Sequence, residues 1–161
     1  MPRKVSAKRY AQAAFELALQ QGELAQWETG LNRISVALES AELRSFLGNA
    51  KIPLSRKVET IQAVVEGVDP LMLNLLNLLV ARGISDQLAD VVAAYKHLLD
   101  QHRGREQVDL YSAVTLEDNE RQMVISFVEG FINKEVVLES KVDSSILAGL
   151  VIKIGDKLID G

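Results

Sequence analysis

Few residues of this sequence have the types and spacings that could support chemistry. His97 and His102 are the only histidines, there is no cysteine, and no third ligand is spaced to complete a metal site with them. Ser144 and Ser145 have no neighbouring base in sequence that would activate a nucleophile. Gly155-Asp156-Lys157 lacks the glycine-rich lead-in of a phosphate-binding loop and lies between predicted strands. We therefore predict no catalytic residue, no cofactor and no metal site.

The composition is that of a globular protein that is not directed at nucleic acid. The chain has 161 residues, which is long enough for one good core or two small ones. Of these residues, 48% are hydrophobic and 25% are charged. The net charge is −4 and no cluster of Lys and Arg with interleaved aromatics occurs. Because phosphate neutralisation supplies most nucleic-acid affinity, this charge argues against nucleic acid as the principal partner. The most apolar stretch, LMLNLLNLLVA, is too short for a membrane span and is interrupted by two asparagines.

The first helix, predicted from Val5 to about Gln21, has an unusually wide apolar face. Its apolar residues cover roughly two-thirds of the circumference, whereas a surface helix needs little more than about 100°. Such a helix is either enclosed by its own domain, or it buries one flank and offers the other to a partner. Both interpretations stay open from the wheel alone. Small side chains that would allow close approach of a neighbour run down its middle, namely Ala7, Ala11, Ala14 and Ala18.

The fifth helix, predicted from Leu71 to Arg82, repeats this property. Its apolar arc covers about 220°, and only Asn74 and Asn77 form a polar edge. The other four predicted helices have ordinary stripes at spacings of three and four residues. We therefore predict a mainly α protein that begins with an N-terminal six-helix bundle.

The pattern changes at the charged stretch of residues 102–106, where we place a domain boundary. Strand alternation follows in residues 108–114, and further strands are predicted at residues 136–142 and 150–154. Gly155-Asp156 predicts a hairpin turn, after which Leu158-Ile159 returns. The predicted domains are residues 1–105, a six-helix domain, and residues 106–161, a small α+β domain of β-α-β-β order. Its helix is expected to begin at a cap formed by Thr115 and Asp118 and to carry six apolar residues on one face, Met123, Val124, Phe127, Val128, Phe131 and Ile132.

Three segments of the chain resemble the delta subunit of F-type ATP synthases, whose mitochondrial counterpart is the oligomycin sensitivity conferral protein. They are the opening KRYAQAAFELA, the helical seam around Trp27 and, most specifically, the closing ILAGLVIKIGDKLIDG. Within the last, Gly149 to Asp156 together with Ile159-Asp160-Gly161 carries most of the resemblance. Arg9-Tyr10-Ala11 and Ala14 support it. The resemblance covers the whole chain, with the helical half and the αβ half in the same order.

The resemblance implies a non-catalytic stator connector that links the alpha/beta headpiece of a rotary, proton-translocating ATP synthase to its peripheral stalk. The partners it implies are N-terminal helical segments of the alpha subunits, held in a groove between the first and fifth helices, and the stalk b subunits, held by the C-terminal domain. Membrane association would be indirect, through the complex. The groove residues that we predict are Tyr10, Ala11, Ala14, Leu17, Ala18, Leu75, Leu76 and Leu79.

The resemblance also implies where the protein is located. The expected place is the cytoplasmic face of a bacterial inner membrane, as a peripheral protein, because no transit-type leader precedes the first helix; a chloroplast or another energy-transducing membrane is the alternative. Members of the family continue past the closing Asp-Gly into a basic helix that this chain, ending at Gly161, is expected to lack.

The rival function is a helical RNA-binding or antitermination-type module, against which the acidic charge counts.

Overall fold

The computed structural model describes residues 2–160, and side chains from Ser6 onward. The chain is mainly helical with one small mixed sheet, and it divides into two compact units, Met1–Leu99 and Asp100–Gly161. The helices are α1 (Pro2–Gln21), α2 (Leu24–Ala37), α3 (Ala41–Gly48), α4 (Leu54–Val64), α5 (Pro70–Ala81), α6 (Leu88–His102) and α7 (Asp118–Ile132). The strands are β1 (Arg105–Ser112), β2 (Glu135–Val142), β3 (Leu150–Ile154) and β4 (Lys157–Asp160).

Local signals explain where the helices of the first unit begin and end. Gly22 follows α1 with a φ of +68°, a left-handed conformation that glycine adopts without steric cost. The Asp69 carboxylate accepts a hydrogen bond of 2.8 Å from the Leu71 amide, and Pro70 occupies the first turn of α5, so this helix has both a cap and a preset φ. A single 3₁₀ turn, Ser85–Gln87, precedes α6, so the sixth helix starts at Leu88 rather than directly after Ser85.

The core of the first unit joins α1, α2 and α6 through aromatic side chains. The Tyr95 ring meets Phe15 edge-on at 6.0 Å between centroids, and its hydroxyl donates to the Leu24 carbonyl oxygen at 2.9 Å. Trp27 is fully buried, with its Nε1–H donating to Gln21 Oε1 at 3.3 Å. Burying each such ring removes a large apolar area from water while its polar atom keeps a partner, which is the condition for a stable aromatic core.

The second unit is a four-stranded sheet in the order β2-β1-β3-β4 with α7 packed on β2. β1 and β2 are parallel because α7 connects them, whereas β3 and β4 form an antiparallel hairpin through the predicted turn, with Gly155 at a φ of +58°. Since Lys157–Asp160 is a full strand, the order is β-α-β-β-β, one strand more than the predicted β-α-β-β. The core comprises Val108, Leu110, Val128, Val136 and Ile152.

α7 begins two residues later than the sequence predicts. The helix follows Glu117 and not Thr115. The backbone N–H of Glu117 donates to the Glu120 carboxylate at 2.9 Å. The spacing of three residues between a polar residue and an acid occurs in both registers, 115–118 and 117–120, so the sequence alone did not separate them. α7 ends at Asn133, which adopts the left-handed conformation with a φ of +57°.

The domain boundary can be tested with a fragment. The structure divides the chain within α6, six residues before the predicted boundary, because the last turn of α6 is tied to β1 by a 3.0 Å hydrogen bond from Gln107 to Asp100. We expect residues 1–105, which keep α6 whole, to fold alone and unfold cooperatively, since the aromatic core lies entirely before residue 100. Thermal melting followed by circular dichroism checks this; a broad, non-cooperative transition would contradict the two-domain division.

Candidate protein-docking surfaces

The residues that could do chemistry do not assemble into an active site. His97 is half-buried on α6 and His102 is exposed near its end. Ser145 donates to Asp143 at 2.6 Å, a turn contact; together with the Ser145 backbone N–H it lowers the pKa of this carboxyl below its ordinary value. Within residues 2–160, no group of three His, Asp or Glu side chains is placed to hold a metal ion. The candidate functional sites of this chain are therefore surfaces that could bind other proteins.

The alanine line of α1 faces the protein interior. Ala7, Ala11, Ala14 and Ala18 are all buried and belong to the core of the first unit. α1 packs against α2 and α5, and small side chains permit this close approach. Three of the residues predicted for the groove, Ala11, Ala14 and Ala18, thus join helices of the same unit.

The fifth helix divides its wide apolar arc in the same way. Leu76 and Leu79 are buried in the core, while Leu75 is half-buried and packs at its margin. α5 contacts α1, α2 and α4, so three neighbours take up the larger part of the arc. Of the predicted groove residues, Tyr10, Leu17 and Leu75 alone reach the surface.

An apolar surface nevertheless remains along α1 and α5. Leu17 follows Tyr10 by seven residues, about two turns of α1, so the two lie on one side of the helix. On α5, Leu71, Leu75 and Leu78 follow one another at spacings of four and three residues and likewise share one side. Leu17, Leu71 and Leu78 are exposed, and the other two are half-buried. We call these five residues the α1–α5 flank. α1 and α5 are in contact, and each of them carries one of these two rows of large apolar side chains.

A cleft of the first unit lies elsewhere, between α2 and the start of α5. It measures about 390 Å³. Arg33 donates to the Gly67 carbonyl oxygen at 3.3 Å beside it, and Gly30 forms part of its wall, packed so closely on Met72 that a β-carbon would overlap the sulfur. Its lining includes two charged side chains, Arg33 and Asp69, but Asp69 caps α5 through the Leu71 amide and Arg33 bonds to a backbone carbonyl, so both have structural roles and the cleft does not fit an active site.

The second unit exposes an apolar row on α7. Met123, Phe127 and Phe131 stand four residues apart and are between 66% and 73% exposed. We call these three residues the α7 stripe. The six apolar residues predicted for one face of α7 differ in burial: Val128 is buried and Val124 and Ile132 pack at the core, whereas the stripe is exposed. Two large aromatic rings left in water on one helix are typical of a docking surface.

The sheet face that carries the odd-numbered residues of β1 and β2 is charged instead of apolar. Lys141 lies 3.3 Å from the Asp109 carboxylate and 3.8 Å from Glu139, and its ammonium is 5.7 Å from the centre of the Tyr111 ring. Desolvation opposes its charge, but the hydrogen bond to Asp109 and these neighbours together raise the pKa of Lys141 above its ordinary value. Such exposed pairs contribute little affinity, so the α7 stripe is the stronger candidate surface of this unit.

Comparison with known proteins identifies the family of the chain. The family model for the ATP synthase delta (OSCP) subunit matches residues 6–161. The ATP synthase subunit delta of Dehalococcoides mccartyi is 36% identical over 155 residues, covering 96% of this chain and 86% of that protein. The human mitochondrial ATP synthase peripheral stalk subunit OSCP is 31% identical over 156 residues, covering 94% and 73%. A chain of the Toxoplasma gondii mitochondrial ATP synthase hexamer has the same fold, with a TM-score of 0.74 at 22% identity and coverage of 96% and 88%.

Fold, surfaces and matches together define a non-catalytic protein-binding subunit with two separate units. More particularly, the chain belongs to the ATP synthase delta (OSCP) subunit family and is a stator connector of that complex. The match does not support the RNA-binding alternative. The ATP synthase delta subunit is peripheral to a membrane complex. No helix in the described part of the chain is both long and apolar enough to cross a membrane.

Proposed function

We propose that this chain performs the connector role with two surfaces, the α1–α5 flank for the headpiece and the α7 stripe for the peripheral stalk. The observation that carries the proposal is that each of the two units exposes large apolar side chains along its helices, α1 and α5 in the first unit and α7 in the second. A connector needs two separate attachment points, because rotation of the central shaft would otherwise turn the headpiece with it. In this mechanism the protein transmits torque and performs no bond chemistry.

The headpiece contact is assigned to N-terminal helical segments of the alpha subunits. An amphipathic helix would rest on the flank, contacting Tyr10 and Leu17 on α1 and Leu71, Leu75 and Leu78 on α5. The remaining predicted residues, Ala11, Ala14, Ala18, Leu76 and Leu79, would support this surface from beneath by holding the helices together. Each large aliphatic anchor contributes roughly 1.5–3 kcal/mol when buried, so several anchors can exceed the cost of association, about 4–15 kcal/mol.

The stalk contact is assigned to the b subunits through the C-terminal domain. The α7 stripe supplies two phenylalanines and a methionine, residue types that are enriched in interface cores. The acids of α7 and its cap, Glu117, Asp118 and Glu120, outnumber the single Arg121 in this part of the helix, which would favour a stalk helix with basic side chains beside its apolar row.

Apolar contacts suit the mechanical demand on a connector. The tether must dissociate slowly under torque, and buried apolar anchors lose little strength at physiological ionic strength, whereas exposed ion pairs are screened over about 8 Å. We place the protein at the cytoplasmic face of a bacterial inner membrane, held there by its partners, with a chloroplast or other energy-transducing membrane as the alternative.

The flank assignment is tested by two leucines on the same helix. Leu17 and Leu19 are similarly exposed, at 41% and 44%. Because they are two positions apart on a helix, their side chains point about 200° apart. We expect Leu17→Asp to weaken binding of a synthetic peptide of the alpha-subunit N terminus at least about tenfold, because one anchor is lost and a charge meets an apolar helix.

The matched control is Leu19→Asp, which should leave the affinity within about twofold because the side chain lies off the flank. Isothermal titration calorimetry of the full chain measures both, with circular dichroism verifying that each variant is folded. Equal losses in the two variants, or a loss with Leu19→Asp alone, would contradict the assignment of the flank.

A further inference from the structure

The start of α4 carries a cluster of cations that lack counter-ions. Lys51, Arg56 and Lys57 occur within a stretch of seven residues, and no Asp or Glu lies between Glu42 and Glu59. None of the three side chains makes an ion pair or hydrogen bond with any residue whose side chain the structure describes. The net charge of the chain is −4, so this stretch is locally opposite in sign to the whole.

Lys57 is the informative member of this cluster. It is only 8% exposed and shares a stripe with Ile61 and Val65, two core residues spaced four and eight positions further on. Its ammonium has no hydrogen-bond partner among the described residues and is not one of the buried polar atoms that lack a partner, so the apolar stem is buried while the charged tip keeps contact with solvent. Side chains on a helix point back toward its N-terminus, which aims this ammonium at the first turn of α4.

The backbone at this turn also favours an anion. Pro53 precedes the helix and cannot cap it with a side chain, and the first turn contains no acid. The amides of Arg56 and Lys57 bond to the Pro53 carbonyl oxygen, whereas those of Leu54 and Ser55 have no intrahelical acceptor. Two unused amides, the positive end of the helix dipole and three cations thus occur within residues 51–57.

We propose that the α4 cluster, Lys51, Arg56 and Lys57, is a docking site for the carboxylates of an acidic protein segment. Leu54 is exposed next to the cations and offers one apolar contact to such a segment. Lipid surfaces are typically recognised by four to eight basic residues, and this cluster has three, which favours a few carboxylates over an extended anionic surface. The inference goes beyond the connector role and does not depend on either of the surfaces assigned above.

Binding of labelled hexaglutamate to the full chain tests this site, with hexaglutamine as the uncharged control. Fluorescence anisotropy at low salt should detect hexaglutamate and not hexaglutamine, and the affinity should fall as salt is added. Lys57→Met keeps the apolar stem and removes the charge, and we expect it to weaken binding about tenfold, as loss of a charge-assisted contact does. Lys153→Met, at an exposed lysine of β3, should change the affinity less than about twofold.

Arg56→Gln provides a second variant at an exposed position, where folding is not at risk, and should weaken binding about threefold. Unchanged affinity in both site variants, or no binding of hexaglutamate at all, would overturn the proposal. Binding to vesicles of equal parts phosphatidylcholine and phosphatidylglycerol without binding to hexaglutamate would overturn it in favour of a lipid surface. Displacement of the peptide by inorganic phosphate more strongly than by chloride at equal ionic strength would make this a phosphate site and equally overturn it.

Discussion

Leu76→Asp is expected to unfold the helical unit, whereas Leu78→Asp on the same helix should leave it folded. Leu76 is 1% exposed and Leu78 is 41% exposed. The first substitution leaves a cavity in the core and places a carboxylate there without a partner, for which we expect a loss of about 4–5 kcal/mol or more, a large part of the stability of a small domain. The second should cost less than about 1 kcal/mol because the new charge stays in water.

Urea denaturation followed by circular dichroism and by the fluorescence of Trp27 measures both changes. Trp27 is buried in the same core and is the only tryptophan, so its emission reports the helical unit alone. Equal stability of the two variants would mean that the inward and outward flanks of α5 are wrongly assigned. Because α5 is one of the two helices of the flank, the headpiece proposal would then lose its surface as well.

The helices could be predicted from the sequence to within a few residues, because periodicity and stop signals act locally. The fifth helix was predicted over Leu71 to Arg82 and spans Pro70–Ala81, and the hairpin turn at Gly155-Asp156 is as predicted. Both features depend on short-range signals, a proline and a capping acid in one case and a glycine with positive φ in the other.

Which flank of a wide apolar helix faces outward could not be predicted. On α1 and α5 the wheel gives an excess arc, but which part of it is covered depends on how α1, α2, α4 and α5 pack against one another, and the wheel of one helix does not contain that packing. The same limit applies to α7, where Phe127 and Val128 are adjacent and equally apolar in pattern, yet one is exposed and the other buried. Packing of α7 on β2 decides between them, and no spacing rule contains that information.

Replacing both aromatics of the α7 stripe should abolish binding of the stalk. We expect Phe127→Glu with Phe131→Glu to weaken binding of the soluble part of a b subunit by about a hundredfold or more, since truncating buried aromatic anchors typically costs at least about 2 kcal/mol each. The fold should be retained because both rings are already in water. Surface plasmon resonance with the full chain measures the affinity.

Leu158→Glu is the control for this variant, since Leu158 is also a large exposed apolar residue of the same unit but lies on β4. It should bind the stalk as the unmodified chain does. Full stalk binding by the double α7 variant, with weakened binding by Leu158→Glu, would move the stalk contact from α7 to the sheet.

The central claim is that one chain holds headpiece and stalk at the same time through different units. Size-exclusion chromatography of a purified alpha/beta headpiece, the soluble part of the b subunits and this chain tests it most directly. The account predicts that headpiece and stalk co-elute only when the chain is present, that Leu17→Asp releases the headpiece alone, and that the double α7 variant releases the stalk alone. Competition between the two partners for the chain, so that each complex contains one and excludes the other, would contradict it.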